Sequence, residues 1–153
     1  MGTQLLVVGS VALDSVEAPA GKRDEILGGS ASFFAAAASY FAHPSLVAVV
    51  GEDFPEAHLE FLRGRGIDLA GLERVPGRSF RWAGRYSDDM NHRTTLDTQL
   101  NVFADFQPRL APAQRDARYL FLANIHPTLQ LDVLSQVKSP KFVAMDTMNL
   151  WIQ

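Results

Sequence analysis

Apolar residues along this chain fall into two rhythms, continuous runs and helical repeats, and their alternation predicts the fold. Gln4 to Leu13 is an almost unbroken run of leucine and β-branched residues. Such a run suits a strand covered on both faces, as in a parallel sheet. A polar stretch from Asp14 to Leu27 follows, broken by Pro19 and Gly21, and reads as a loop. A helix is predicted from about Ser30 to Ala42, stopped by His43-Pro44. "SLVAVVG" is a second buried strand. "DFPEAHLEFLRGRG" predicts a helix capped by Asp53, with Glu56 three residues on as its capping-box partner. Pro55 is tolerated in the first turn, Leu59, Phe61 and Leu62 form the apolar side, and Gly64 or Gly66 ends the helix.

The pattern then changes. "SFRWAGRYS" and "TTLDTQLNVFADF" read as strands around the polar turn "DDMNHR". Phe80, Trp82, Gly84 and Tyr86 alternate with Arg81, Ala83 and Arg85, giving a hairpin with one apolar and one charged face. After Pro112 the first rhythm returns, with "ARYLFLAN" a strand, "PTLQLDVLSQVK" a helix and "KFVAMDTM" a strand. The order is β-α-β-α, an antiparallel insertion, then β-α-β. It predicts an α/β fold, a Rossmann-like doubly wound parallel sheet with an inserted β-hairpin lid. Residues 1–78 and 102–153 are assigned to the core and 79–101 to the lid. The chain stops at "NLWIQ" just after a strand, so the domain is expected to be incomplete at its C-terminus and to leave apolar surface uncovered.

Composition narrows the function. The 153 residues suffice for one domain with a core, and 47% hydrophobic with 20% charged residues describes a globular protein. A net charge of -3 without a basic stripe argues against nucleic-acid binding. The absence of cysteine excludes disulfides and thiolate zinc sites. The apolar run from Phe33 to Ala42 is too short to cross a membrane, which takes roughly twenty residues. "MGTQLLVVGSVAL" lacks the basic start of a signal peptide, and Leu6 stands where a myristoylation site needs Ser or Thr. A cytoplasmic protein is expected.

Ligands of open α/β sheets bind beyond the carboxyl ends of the strands. Three stretches lie there: "GSVALD", "GEDF" and "DTMN". Asp14 could accept hydrogen bonds from two neighbouring hydroxyls of a polyol, or cap a turn. Gly28-Gly29 opens a helix, whose N–H groups and dipole favour oxygen-rich ligands, or it meets a need for a tight turn and close packing. The dinucleotide pattern G-x-G-x-x-G is absent after the first strand. His43, His58, His92 and His126 show no zinc spacing. Asp88-Asp89 reads as a solvated turn. Trp82 and Phe80 could stack on a base or simply fill the apolar face of the hairpin. Arg81, Arg85 and Arg93 could meet a substrate phosphate or a partner's lid, or simply be solvated strand positions.

"VVGSVALD", "GGSASFFAAAAS", "VAVVGEDF", "RGID", a hairpin and "VFADF", in this order, resemble the N-terminal half of the ribokinase-like (PfkB) sugar kinases over essentially the whole chain. The resemblance implies a kinase that transfers the ATP γ-phosphoryl group to a hydroxyl of a sugar, nucleoside or related alcohol, with ATP and Mg²⁺ as cofactors of the complete protein. It also implies a lid that covers the substrate, with a homodimer formed through it. Asp14, five residues beyond Gly9, matches the family's substrate-binding aspartate, and Gly28 and Gly29 match its glycine pair. Ser30 and Asn101 join them as candidate substrate contacts.

The departures are informative. Ala12 and Phe33 stand where sugar-specific members carry asparagine, and an apolar wall cannot repay the desolvation of a hydroxyl. Phe33 is therefore expected to face a ligand with fewer hydroxyls there, or an aromatic part as in nucleosides, unless it points into the core. "GEDFPE" lacks the family's following glycine, so Asp53 is expected to be a cap. "DTMN" is similar to a family aspartate-x-asparagine stretch with altered spacing, leaving Asp146 and Asn149 as weak candidates. The family's D-T-x-G-A-G-D signature, which supplies the base and the phosphoryl-binding glycines, is absent. No residue here is assigned a catalytic role, neither ATP nor metal is expected to be held by this chain alone, and the isolated chain is expected to be inactive. The alternatives are a non-catalytic binding or dimerisation module of the same fold, and a fragment of a dinucleotide-binding oxidoreductase.

Overall fold

The computed structural model describes residues 4–147, which form two sheets and three helices. Five parallel strands make the core sheet: β1 (Leu5–Val8), β4 (Pro44–Gly51), β5 (Asp68–Val75), β8 (Tyr119–Leu122) and β9 (Phe142–Met145). Their spatial order is β5-β4-β1-β8-β9. The second sheet holds β2 (Ala12–Ala18), β3 (Gly21–Gly28), β6 (Arg81–Tyr86) and β7 (Arg93–Gln99), in the order β3-β2-β6-β7. The helices are α1 (Ser30–Ala38), α2 (Glu56–Gly64) and α3 (Pro127–Gln136).

The continuous apolar runs are explained by β4, in which all eight residues are buried. Side chains alternate across a strand, so Leu46, Ala48 and Val50 join the cluster with Ala31, Ala35, Leu59 and Leu62 of α1 and α2. Val47 and Val49 join the opposite cluster with Val133 of α3 and Phe106. Both layers need apolar partners, so no polar position interrupts the run. Phe34 of α1 stacks on Phe121 of β8 with ring centroids 3.6 Å apart, fixing α1 over the sheet centre.

Several expectations change. The first apolar run is not one strand. It breaks after Val8, where a Cβ on Gly9 would overlap Ala123, and β2 resumes in the other sheet. The expected loop from Asp14 to Leu27 is the β2–β3 pair, with a bulge between Asp14 and Val16. Residues 21–26 of β3 are exposed and residues 14–18 of β2 are part-buried on both faces, so no alternation betrays the pair. The β6–β7 hairpin is antiparallel as expected, but β6 also pairs in parallel with β2. The strand β5 was not anticipated, because an edge strand with exposed Asp68, Glu73 and Arg74 carries no apolar run. Helix α1 ends at Ala38, where the Ser39 hydroxyl donates to the Ala36 carbonyl at 2.7 Å and competes with the helical ladder. Asp53 does not cap α2, whose first residue follows Pro55 without a side-chain cap. Gly66, with φ 74°, closes that helix as expected. The edge strand β9 leaves Phe142, Val143 and Met145 exposed.

Leu62 is fully buried between α2 and the sheet. Leu62→Ala is expected to lower stability by ~2–5 kcal/mol, read from a urea unfolding curve.

Candidate functional site

The sheet order places a topological switch between β1 and β8, because the chain runs from β1 outward to β4 and later returns to the other side at β8. A crevice at the carboxyl ends of those two strands is where such sheets bind ligands. Ser10 follows β1 there, Asn124 follows β8, and α1 starts between them. The Ser30 amide donates to the Ser10 hydroxyl at 3.1 Å, and the Ala31 amide to the Ser10 carbonyl at 3.1 Å. The Asn124 amide donates to the Ser30 hydroxyl at 2.7 Å. The helix start is thus less open than its sequence suggests, since two of its orphan N–H groups already have partners.

This tight assembly needs glycine. Gly29 has φ 91°, and a Cβ there would overlap the Ser10 carbonyl. Gly28 pairs with Ala12 across the β2–β3 ladder, and a Cβ on it would overlap the Asp14 carboxyl group. Asp14 therefore lies directly over the bare Gly28 backbone. Ile26 and Trp82 are its register partners on β3 and β6, so all three share one face of the lid sheet. Among the described residues no donor reaches the Asp14 carboxylate. Burial pushes its pKa up to about 6. The carboxylate oxygens thus keep their capacity to accept hydrogen bonds.

The structure brings Asp14, Gly28, Gly29 and Ser30 together. Phe33, in the first turn of α1, is 61% exposed and does not enter the core. Asn101 has φ 49°, and its Nδ2 donates to the Ser79 carbonyl at 2.9 Å, where the second sheet rejoins the core. Ser10, inside the first apolar run, and Asn124, just past the β8 run, also lie at this helix start and were not singled out by the sequence. Asp146 offers its carbonyl to Gln130 at 3.1 Å, and Asn149 lies outside the described residues. Asp89 binds Ser87 and Asn91 within its own turn. Trp82 donates to the Thr95 hydroxyl at 3.3 Å, with the Arg93 guanidinium 5.3 Å from its ring centroid. Among the described residues no group of three or more His, Asp or Glu side chains could hold a metal ion. No described helix is long and apolar enough to cross a membrane. Two surface clefts, of about 600 and 370 Å³, lie around Arg109 and Lys138 and around Phe106 and His126, and neither includes Asp14.

A five-stranded parallel sheet joined to a second, four-stranded sheet is the fold of the N-terminal half of ribokinase-like kinases, and this chain has that fold. Ribokinase from Cryptococcus neoformans in complex with ADP matches with a TM-score of 0.75 at 18% identity, over 95% of this chain and 50% of that one. Ribokinase from Arabidopsis thaliana complexed with ribose and ATP gives 0.73 at 19%, over 95% and 54%. The nucleoside kinase of Methanocaldococcus jannaschii gives 0.71 at 16%, over 95% and 52%. In sequence, the chain is 27% identical over 139 residues to a cytidine kinase of Thermococcus kodakarensis. That match takes in 90% of this chain, which spans about half (49%) of the relative's length. No protein-family profile matches.

Two outcomes follow from the site geometry. The folded pKa of Asp14 is raised from its ordinary ~4 to about 6, so ionising it opposes folding as pH rises through that window. Asp14→Asn is expected to melt above the parent at about pH 7.5, with the difference shrinking toward ~pH 4. A melting difference independent of pH would contradict the assignment. Gly29→Ala is expected to cost at least ~1–3 kcal/mol through backbone strain alone. Gly64→Ala, at a position with open space around it, serves as the unstrained control in the same thermal melts.

Proposed function

We propose that this chain is the substrate-binding half of an ATP-dependent kinase for a small-molecule alcohol, and that the alcohol is nucleoside-like. One observation carries the reading: the Asp14 carboxylate stands half-buried and without a donor over the Gly28 backbone, beside the start of α1 at the switch point. It would accept from two vicinal hydroxyls, with the Ser30 hydroxyl and the backbone of residues 28–29 lining the same edge. Each charge-assisted bond of this kind contributes roughly 1.5–3 kcal/mol.

The preference for a nucleoside rests on Phe33. An exposed aromatic ring beside a polyol site favours a flat apolar moiety over further hydroxyls. Trp82, on the same lid face as Asp14, adds a second ring. That one relative is a cytidine kinase and one structural neighbour a nucleoside kinase supports the same choice.

ATP and Mg²⁺ belong to the proposal only for a complete protein. The described residues do not fit a metal ion, since no acidic cluster is present among them. The chain's own residues bind and orient the hydroxyl and no more, so the isolated chain is expected to show no turnover. The lid exposes Ile26, Met90, Leu96 and Leu100, and a homodimer through the lid would cover such residues.

Titration calorimetry with cytidine, adenosine, ribose and fructose tests the reading. Nucleosides are expected to bind, and Asp14→Asn to weaken them by roughly 10- to 100-fold, the loss of one charge-assisted bond. Preference for fructose would overturn the nucleoside assignment. Indifference of all four ligands to Asp14→Asn would overturn the site.

A further inference from the structure

The lid joins the core at four crossings, residues 9–11, 28–29, 76–80 and 100–101. The last two converge on Ser79, which is 0% exposed. Its amide and its hydroxyl both donate to Asp53 Oδ1 at 2.8 Å. The hydroxyl accepts from the Gly51 amide at 2.9 Å, at the end of β4. Its carbonyl accepts from Asn101 Nδ2 at 2.9 Å and from an Arg81 guanidinium N–H at 3.2 Å. The polar atoms of one buried serine thus tie the outgoing crossing to the end of β4, to the turn that follows it and to the returning crossing. A Cβ on Gly51 would overlap the Gly77 carbonyl, so the crossing lies flat on the strand end.

Arg81 carries this node into the lid. Its guanidinium pairs with Asp53 in the core at 2.8 Å and with Glu25 of β3 at 2.9 Å. The Glu25 carbonyl in turn lies 3.1 Å from His58 Nε2 of α2. Arg81 stands opposite Leu13 in the β2–β6 ladder, and the Leu13 amide donates to the Phe80 carbonyl at 2.9 Å. The next residue of β2 is Asp14. Partial burial works against the charge on Asp53, but the Ser79 hydrogen bonds and Arg81 outweigh it and hold its pKa below the ordinary carboxylate range.

We propose that Asp53 is a positioning residue: acting through Ser79 and Arg81, it clamps the root of the lid to the end of β4 and thereby sets where the Asp14 carboxylate stands over Gly28. The acid is neither a helix cap nor a ligand. Its work is done two links away, along Asp53–Arg81, the β6–β2 ladder and Asp14. The inference bears on the substrate site but does not rest on the substrate reading, because its readouts need no ligand.

The test compares the parent chain with Asp53→Asn, Ser79→Ala and Glu25→Gln. Amide hydrogen exchange is followed strand by strand, and the Asp14 carboxyl is titrated by NMR. Asp53→Asn and Ser79→Ala are expected to speed exchange in β2 and β6 by roughly tenfold while β1 and β8 keep the parent rates. The Asp14 midpoint is expected to fall from about 6 toward the ordinary carboxylate range as water reaches the loosened strand. Glu25→Gln, at an exposed carboxylate, is expected to move both readouts in the same direction by less. Equal acceleration in both sheets would make the node a general stabiliser and overturn the proposal. An unmoved Asp14 midpoint in the variants that fold would overturn it as well. Should Asp53→Asn not fold, Ser79→Ala and Glu25→Gln decide by the same two readouts.

Discussion

Two glycine backbones pressed against Ser10 and Asp14 are the constraint on which the rest of this structure depends. Without a Cβ at residue 29, α1 can begin against the Ser10 carbonyl, and Ser10 supplies partners to two of the helix's first amides. Without a Cβ at residue 28, the Asp14 carboxyl can settle on the chain and lose part of its water. The same two residues end β3 and start α1, so they also mark where the chain passes from lid to core. One close approach therefore sets the helix start, the raised pKa of the acid and the junction of the two sheets. Any side chain there would disturb all three together.

The site is divided between two bodies. The core supplies Ser10, Ser30 and Asn124, fixed by the parallel sheet and α1. The lid supplies Asp14, with Ile26 and Trp82 beside it in register. An acid on one sheet and a hydroxyl on the other keep a fixed separation only if the angle between the sheets is held. The hydrogen bonds around Ser79 join the two sheets and are buried, unlike the surface ion pairs. Pairs such as Lys22–Asp24 are exposed and contribute little. The Ser79 carbonyl and hydroxyl are shielded from water, and leaving either unpaired would cost ~1–3 kcal/mol.

What could be read in advance follows from this division. The inner strands β4 and β1 were legible because burial on both faces writes a continuous apolar run, whereas the half-exposed edge strand β5 was not. Helix α2 was legible because one face is buried and the other is not. The series of short motifs was legible as a resemblance, and the fold agrees with it. The β2–β3 pair was hidden because β3 is exposed on both faces and the outer half of β2 is part-buried on both, so neither has a periodicity to show. The α1 sequence "SFFAAAA" has no polar side, so nothing local says that Phe34 stacks on Phe121 while Phe33 turns outward. Asp53 satisfied a capping box by spacing, but its partners are Ser79 and Arg81, more than twenty residues on. A local rule could not see a competitor that only the tertiary fold brings near.

The central position of β1 has a consequence for how the chain reaches this state. Leu5 pairs with Pro44 on one side and with Tyr119 on the other, so the middle of the core sheet joins segments about a hundred residues apart. Closing so long a loop is entropically unfavourable, and topologies rich in such pairings assemble slowly. The β6–β7 hairpin and α2 can form from neighbours alone, whereas β1 must wait for β8. During synthesis the first strand would emerge long before its second neighbour, with its apolar side chains unsheltered in the interval.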